Sequence, residues 1–209
     1  MGKLKLKMMQ TESWCCRMII YATKLTFERY SSLKLPKDLT PPLNEIAKSI
    51  IEKESGDRLL EWGAKLFYFD KKKCIQVVNF ASKLTLFLVD VKVADLENTS
   101  NMMAHYIFEL YKEDKEMIVA LNKMFEESSI TCFNKLTDKS AIATLNKTQR
   151  DFTFDGYRFY DFIREGVLHT LEINKEVNFE WLFTMKEQGK IEYIYAGEKF
   201  RELVLNRYV

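Results

Sequence analysis

At 209 residues, 47% of them apolar and with 15 Phe and 10 Tyr, the chain can bury one full core, and its 7 Gly and 3 Pro exclude a low-complexity or disordered polymer. Lys and Arg number 32 against 30 Asp and Glu, a formal balance of +2, so overall charge does not mark a nucleic-acid binder and any phosphate site must be a local patch. Four cysteines (Cys15, Cys16, Cys74, Cys132) with neither a CxxC nor a Cys/His cluster exclude a zinc motif and fit free thiols in a reducing cytoplasm.

No apolar run reaches the length of a membrane span, so no membrane is expected as a partner. Residues 1–17, "MGKLKLKMMQTESWCCR", start basic but lack a long apolar segment, and are expected to be a mobile extension rather than a signal peptide. Met18 to Ala22 predicts a short buried strand. Thr23 then caps a helix through Phe27 to Tyr30. Pro36, Pro41 and Pro42 predict a loop. In "LNEIAKSIIEKE" the spacing of Leu43, Ile46, Ile50 and Ile51 predicts a helix stopping at Gly56. "WGAKLFYF" predicts a strand ending at Asp70. Two further strands follow over 74–79 and 84–91, the second nearly unbroken in apolar residues, as where both sheet faces are covered.

Helices are predicted over 95–112 and 116–126, then a strand in "SSITCFNKL". A capping signal at Thr137 or Asp138 opens the helix of "TDKSAIATLNKTQRDF". Further helices are predicted over 157–165, 179–185 and 198–207, with a short edge strand over 191–195. The order of elements implies an α+β fold: a mixed or mostly antiparallel sheet, helices packed on one side of it, and a helical C-terminal part. A boundary near Phe152–Gly156 separates a core domain, 18–152, from a part, 153–209, packed on it.

Restriction-type nucleases hold a divalent metal such as Mg between an Asp on one strand and an Asp-x-Lys on the next. Asp70 followed by Asp90 and Lys92 has that outline. Solvated residues at strand ends are the plainer reading and carry more weight, so no metal or other cofactor is expected unless the chain is a nuclease. His105 and His169 have the titration range of an acid–base catalyst, but each reads better as a helix-face residue. Lys71, Lys72 and Lys73 form the densest basic run, suited to phosphate or to protecting a sheet edge. Lys135, Lys139, Lys147 and Arg150, with Asn134 and Asn146, form a second group. The aromatic run with Tyr157, Tyr160 and Phe162 reads as helix packing or as a surface for a host protein.

Three segments together resemble an uncharacterised bacterial family of unknown function carried on plasmids and phages. They are "MIIYATKLTFERY", "EWGAKLFYFDKKKCIQVVNFASK" and "ITCFNKLTDKSAIATLNKTQRDF". The matching residues are Thr23, Lys24, Trp62, Ala64, Leu66, Lys73, Cys74, Asn79, Lys135, Thr137, Lys139, Ser140, Leu145 and Asn146. They span roughly Met18 to Phe152, with the C-terminal helices as an addition. The chain also resembles, more loosely, type II anti-CRISPR inhibitors. That resemblance implies a cytoplasmic protein acting on a CRISPR effector ribonucleoprotein by binding or cleaving its guide RNA. Lys24, Asn79, Lys135, Lys139, Ser140 and Asn146 would then contact or cleave the RNA, with Asn79, Lys135, Lys139 and Asn146 the catalytic candidates; the basic groups themselves put Lys71, Lys72, Lys73, Lys147 and Arg150, with Lys24, on a nucleic acid. The residues leave open whether the chain is an enzyme; if it is one, the resemblance makes it a ribonuclease. The alternatives are a non-enzymatic module binding a host protein and the Asp70/Asp90/Lys92 metal nuclease.

Overall fold

The computed structural model describes residues 18–29, 52, 55–92, 99–127, 131–154, 159–187 and 189–209. The expectations for residues 1–17, for the Pro36–Pro42 loop, for the helix before Glu52 and for Tyr157 lie outside the described residues.

A five-stranded sheet forms the middle layer. Its strands are β1 (Met18–Ala22), β2 (Glu61–Phe69), β3 (Lys72–Asn79), β4 (Thr85–Leu88) and β5 (Thr131–Lys135), in the order β4-β3-β2-β1-β5. β1 runs parallel to both β2 and β5, whereas β2, β3 and β4 form an antiparallel meander. The β2–β3 turn has two residues, Asp70 (φ 46°) and Lys71 (φ 62°), both left-handed as the twist of such a hairpin demands.

The sequence expectation of helices on one side is corrected: both faces are covered. On the front face Met18, Ile20, Trp62, Leu66, Val77 and Leu86 pack under α2 (Thr99–Leu110), α3 (Lys115–Glu127) and α6 (Ala196–Tyr208). On the back face Phe67, Cys74, Val78 and Phe87 pack under α4 (Lys139–Phe154), a 3-10 turn (Phe159–Phe162), α5 (Thr170–Phe179) and the hairpin β8–β9 (Leu182–Glu187 and Lys190–Tyr195). A two-residue pair, β6 (Ile163–Arg164) and β7 (Val167–Leu168), joins the 3-10 turn to α5. Two covered faces explain the unbroken apolar run of β4.

α1 (Lys24–Arg29) begins where β1 stops, and Thr23 caps it as expected, its Oγ1 accepting from the Thr26 N–H at 3.4 Å. Thr26 Oγ1 in turn accepts from the Leu66 N–H at 2.9 Å, satisfying the part of β2 that outruns β1.

The part after Phe154 carries strands as well as helices. The helix predicted over 179–185 is replaced by the end of α5 at Phe179 and by strand β8. Its alternation has period two: Phe183 and Met185 are buried, Leu182 and Thr184 exposed. Within the predicted helix over 157–165, the described residues form the 3-10 turn and β6 instead. Phe159 and Phe162 of that turn pack into the back-face cluster.

Candidate functional site

The expected cluster of Asn79, Lys135, Lys139 and Asn146 does not assemble. Asn79 is 0% exposed at the start of the β3–β4 turn. Its Nδ2 donates to the carbonyls of Leu59 (2.8 Å) and Glu61 (3.4 Å). Its Oδ1 accepts from the N–H groups of Ala81 (3.1 Å) and Ser82 (3.0 Å) and from the Ser82 hydroxyl (3.0 Å). The chain itself therefore takes up the whole hydrogen-bonding capacity of this amide, and no substrate reaches it. Lys139 opens α4 near that same end of the sheet and is solvent-exposed.

Two residues farther along the ladder from Asn79, more is gathered. Ala22, the last residue of β1, pairs with Ala64 of β2 and with Lys135 of β5. Lys24, Lys65 and Lys135 thus lie within one or two residues of a single register position, at the carboxyl ends of β1 and β5 and midway along β2. Open sheets bind ligands at that end, where connections leave to opposite faces. Lys135 carries the front-face parity and Lys65 the back-face parity, so the three lysines straddle the sheet end.

Lys65 was not singled out in the sequence, and it is the most unusual of the three. Its Nζ donates to Asn146 Oδ1 at 2.7 Å, and burial pushes the amine below its ordinary range. Among the described residues no carboxylate forms an ion pair with it. It lines a cleft of about 210 Å³ between β2 and α4, whose other walls are Thr23, Leu25, Leu66, Ile142, Leu145 and Asn146. Across the β2–β3 ladder from Lys65 stands Gln76, 0% exposed, with neither amide atom partnered among the described residues.

α4 continues along β2, and a second cleft of about 360 Å³ opens at the far end of that seam. Tyr68, Phe69, Phe152, Phe159 and Tyr160 line it, with Asp70 and Thr153. Tyr68 and Tyr160 are about half exposed, and Tyr160 packs on Phe69 at 4.9 Å between ring centres. Lys71, exposed in the adjoining turn, borders this end.

The remaining basic candidates are engaged in part. Lys147 and Arg150 share Asp151 at 2.8 and 3.6 Å, Lys24 faces Glu28 at 3.6 Å, and Lys72 holds Asp90 at 3.1 Å. Lys73 leaves β3 with the front-face parity. The nuclease set is not assembled: Asp70 sits in the hairpin turn, Asp90 in a bend after β4 against Lys72, and Lys92 follows on the exposed surface. Among the described residues no three of His, Cys, Asp and Glu converge on a metal position. His105 is exposed beside Tyr106, and His169 precedes α5 with Glu172 at 3.5 Å. Cys74 is a buried free thiol, pushed up by that burial.

A family described as a domain of unknown function (DUF6933) matches residues 19–199. The chain belongs to this family. The matched DUF6933 segment runs through β8, β9 and into α6, so the C-terminal elements are part of the family and not an addition to it. Comparison with curated proteins and with solved structures finds no match. Among the described residues of this DUF6933 chain no helix is long and apolar enough to cross a membrane.

Proposed function

We propose that the chain binds single-stranded RNA along the seam between β2 and α4. The observation that carries this reading is the half-buried Lys65 amine, held by the neutral Asn146 amide beside an apolar cleft. A cation with no carboxylate partner among the described residues, at the wall of a small cleft, suits an anionic group on an apolar or planar body. The cleft is smaller than the roughly 300 Å³ at which pockets for free small molecules begin. It suits one nucleotide of a polymer better than a free cofactor. The aromatic cleft farther along the seam supplies rings on which bases stack without sequence preference. Lys24 and Lys135 at the sheet end beside Lys65, Lys147 and Arg150 on α4, and Lys71 in the turn beside the aromatic cleft are assigned to phosphates on either side of the seam. Lys72, Lys73, Lys139 and Asn79 drop out.

The guide RNA of a type II CRISPR effector is the specific RNA that the anti-CRISPR resemblance suggests, and that assignment rests on the resemblance alone. The test is fluorescence anisotropy of a labelled short single-stranded RNA, and of a guide RNA, at low salt. Lys65→Met with Asn146→Ala weakens binding by about tenfold or more, the worth of one charge-assisted hydrogen bond. Lys139→Ala, at the other end of α4, leaves it unchanged. Equal affinity in the first variant and the parent overturns the site. RNA recovered intact with and without magnesium removes the ribonuclease form and leaves the binding form standing.

A protein-partner reading is favoured by a different surface. The outer face of the β8–β9 hairpin exposes Leu182, Ile191, Tyr193 and Tyr195, paired across the strands as Leu182 with Tyr195 and Lys186 with Ile191. This face, rather than Tyr160 and Phe162, is the apolar surface suited to a host protein. Tyr193→Ala abolishes activity and spares RNA affinity if that reading is right.

A further inference from the structure

Away from the RNA seam, the start of α4 carries a serine and a lysine placed for chemistry. Lys83, in the β3–β4 turn with φ 67°, is 4% exposed, and its Nζ lies 2.8 Å from the exposed Ser140 Oγ. A buried amine against an accessible hydroxyl is the arrangement of Ser–Lys hydrolases, in which a neutral lysine takes the serine proton.

We propose that Ser140 is a nucleophile and Lys83 its general base, in an acyl-transfer site for an ester or amide carbonyl. Ser140 Oγ bonds to the carbonyl carbon and its proton passes to Lys83 Nζ. The bond from carbon to the leaving oxygen or nitrogen breaks, and the leaving group takes that proton from Nζ. Water then attacks the acyl-serine carbonyl, again through Lys83, and releases the carboxylic acid with Ser140 restored. Lys139 and Ser140 open α4, where the leading N–H groups of a helix have no intrahelical carbonyl, and these are the donors assigned to the developing oxyanion.

The charged groups facing Lys83 are Asp138 and Arg58. Burial is the largest influence and lowers the amine, Asp138 draws it back up, and Arg58 lowers it again, with the balance below the ordinary lysine range. That direction favours the neutral amine, the form a general base requires. A structural staple between the β3–β4 turn and α4 is the competing role for the same contact, and arginine in place of Lys83 keeps a staple while removing the base.

The test is labelling of the full chain with a fluorophosphonate probe from neutral to alkaline pH, read by mass spectrometry of the Ser140 and Ser55 peptides, with circular dichroism on every variant. Ser55 is an exposed serine whose hydroxyl donates to the Glu52 carbonyl, with no lysine partner among the described residues, and serves as the internal control. The expected result is Ser140 modification well above Ser55, rising with pH, absent in Ser140→Ala, and reduced about a hundredfold in a folded Lys83→Arg, the lower range for loss of a general base. Labelling of Ser140 no faster than Ser55 overturns the proposal. So does a folded Lys83→Arg that labels as fast as the parent. Lys83→Met serves in place of Lys83→Arg if arginine does not fit, with the same two outcomes.

Discussion

Asp138 shows how much one side chain carries at the start of α4. Its Oδ1 accepts from the Ala141 N–H at 2.7 Å, the cap expected from the sequence, while its Oδ2 meets Arg58 at 3.3 Å. Burial pushes its carboxyl up, but the Ala141 N–H, Arg58 and Lys83 outweigh it and hold the group below its ordinary range. A carboxyl lowered in the folded state stabilises above its unfolded value, near pH 3.9, and loses that contribution as pH falls through the folded value. Asp138→Asn keeps a capping oxygen and removes the charge, so its stability deficit is full at pH 7 and closes as the pH drops below about 4. Urea midpoints of the two proteins at both pH values check this. Gln76 gives the opposite sign. Its buried amide, unpartnered among the described residues, costs about 1–3 kcal/mol, so Gln76→Met raises the urea midpoint. Asn79 was legible in the sequence as the last residue of a strand and a catalytic candidate; only the fold reveals that its amide is taken up by the chain's own backbone and the Ser82 hydroxyl. Lys65 and Gln76 were not legible, because a lone polar residue in a strand has the same sequence signature whether it faces water or a covered sheet.

At the scale of elements, α5 closes the free edge of β4. Asn174 Oδ1 accepts from the Phe87 N–H at 2.8 Å, and its Nδ2 donates to the Phe87 carbonyl at 3.3 Å. One turn later Asn178 does the same for Thr85, at 2.8 and 2.7 Å. Two amides spaced i, i+4 on a helix thus replace the ladder of a missing strand, on an apolar edge that would otherwise template aggregation. Asn178→Ala leaves two buried backbone groups unpaired and lowers stability by about 2 kcal/mol or more, measured as the urea midpoint. A loss below about 0.5 kcal/mol contradicts the edge role. No helix over these residues was predicted from the sequence, where nothing marks Asn174 and Asn178 as partners of a strand edge 87 and 93 residues earlier. β1 and α4 were legible for the converse reason: an apolar run of β-branched residues and a capping aspartate are signals that tertiary contacts did not override.

The whole molecule is a sheet closed on both faces, and its last helix belongs to the main core. Phe200, Val204 and Tyr208 of α6 pack in one cluster with Trp62, Leu121 and Met124, and the Trp62 and Phe200 rings meet edge-on at 6.0 Å. Gly197 lets α6 approach α5, since a Cβ there would lie 2.4 Å from the Phe179 ring. Phe200→Ala is expected to cost about 3–5 kcal/mol, and a chain truncated after Tyr195 to fail to give a cooperative thermal transition. A truncated chain that still melts cooperatively would restore the C-terminal part to the status of an addition. The same layering aligns α4 with β2 and so creates the seam proposed for RNA, whose lysines come from three elements far apart in the chain. The most direct test of that claim is the salt dependence of RNA binding for the parent and for Lys24→Ala, Lys65→Met and Lys135→Ala combined. Each phosphate contact contributes about −0.7 to the slope of log K against log salt for a single strand. The combined variant is therefore expected to lose about 2 from that slope, and an unchanged slope would contradict the assignment of these lysines to an RNA backbone.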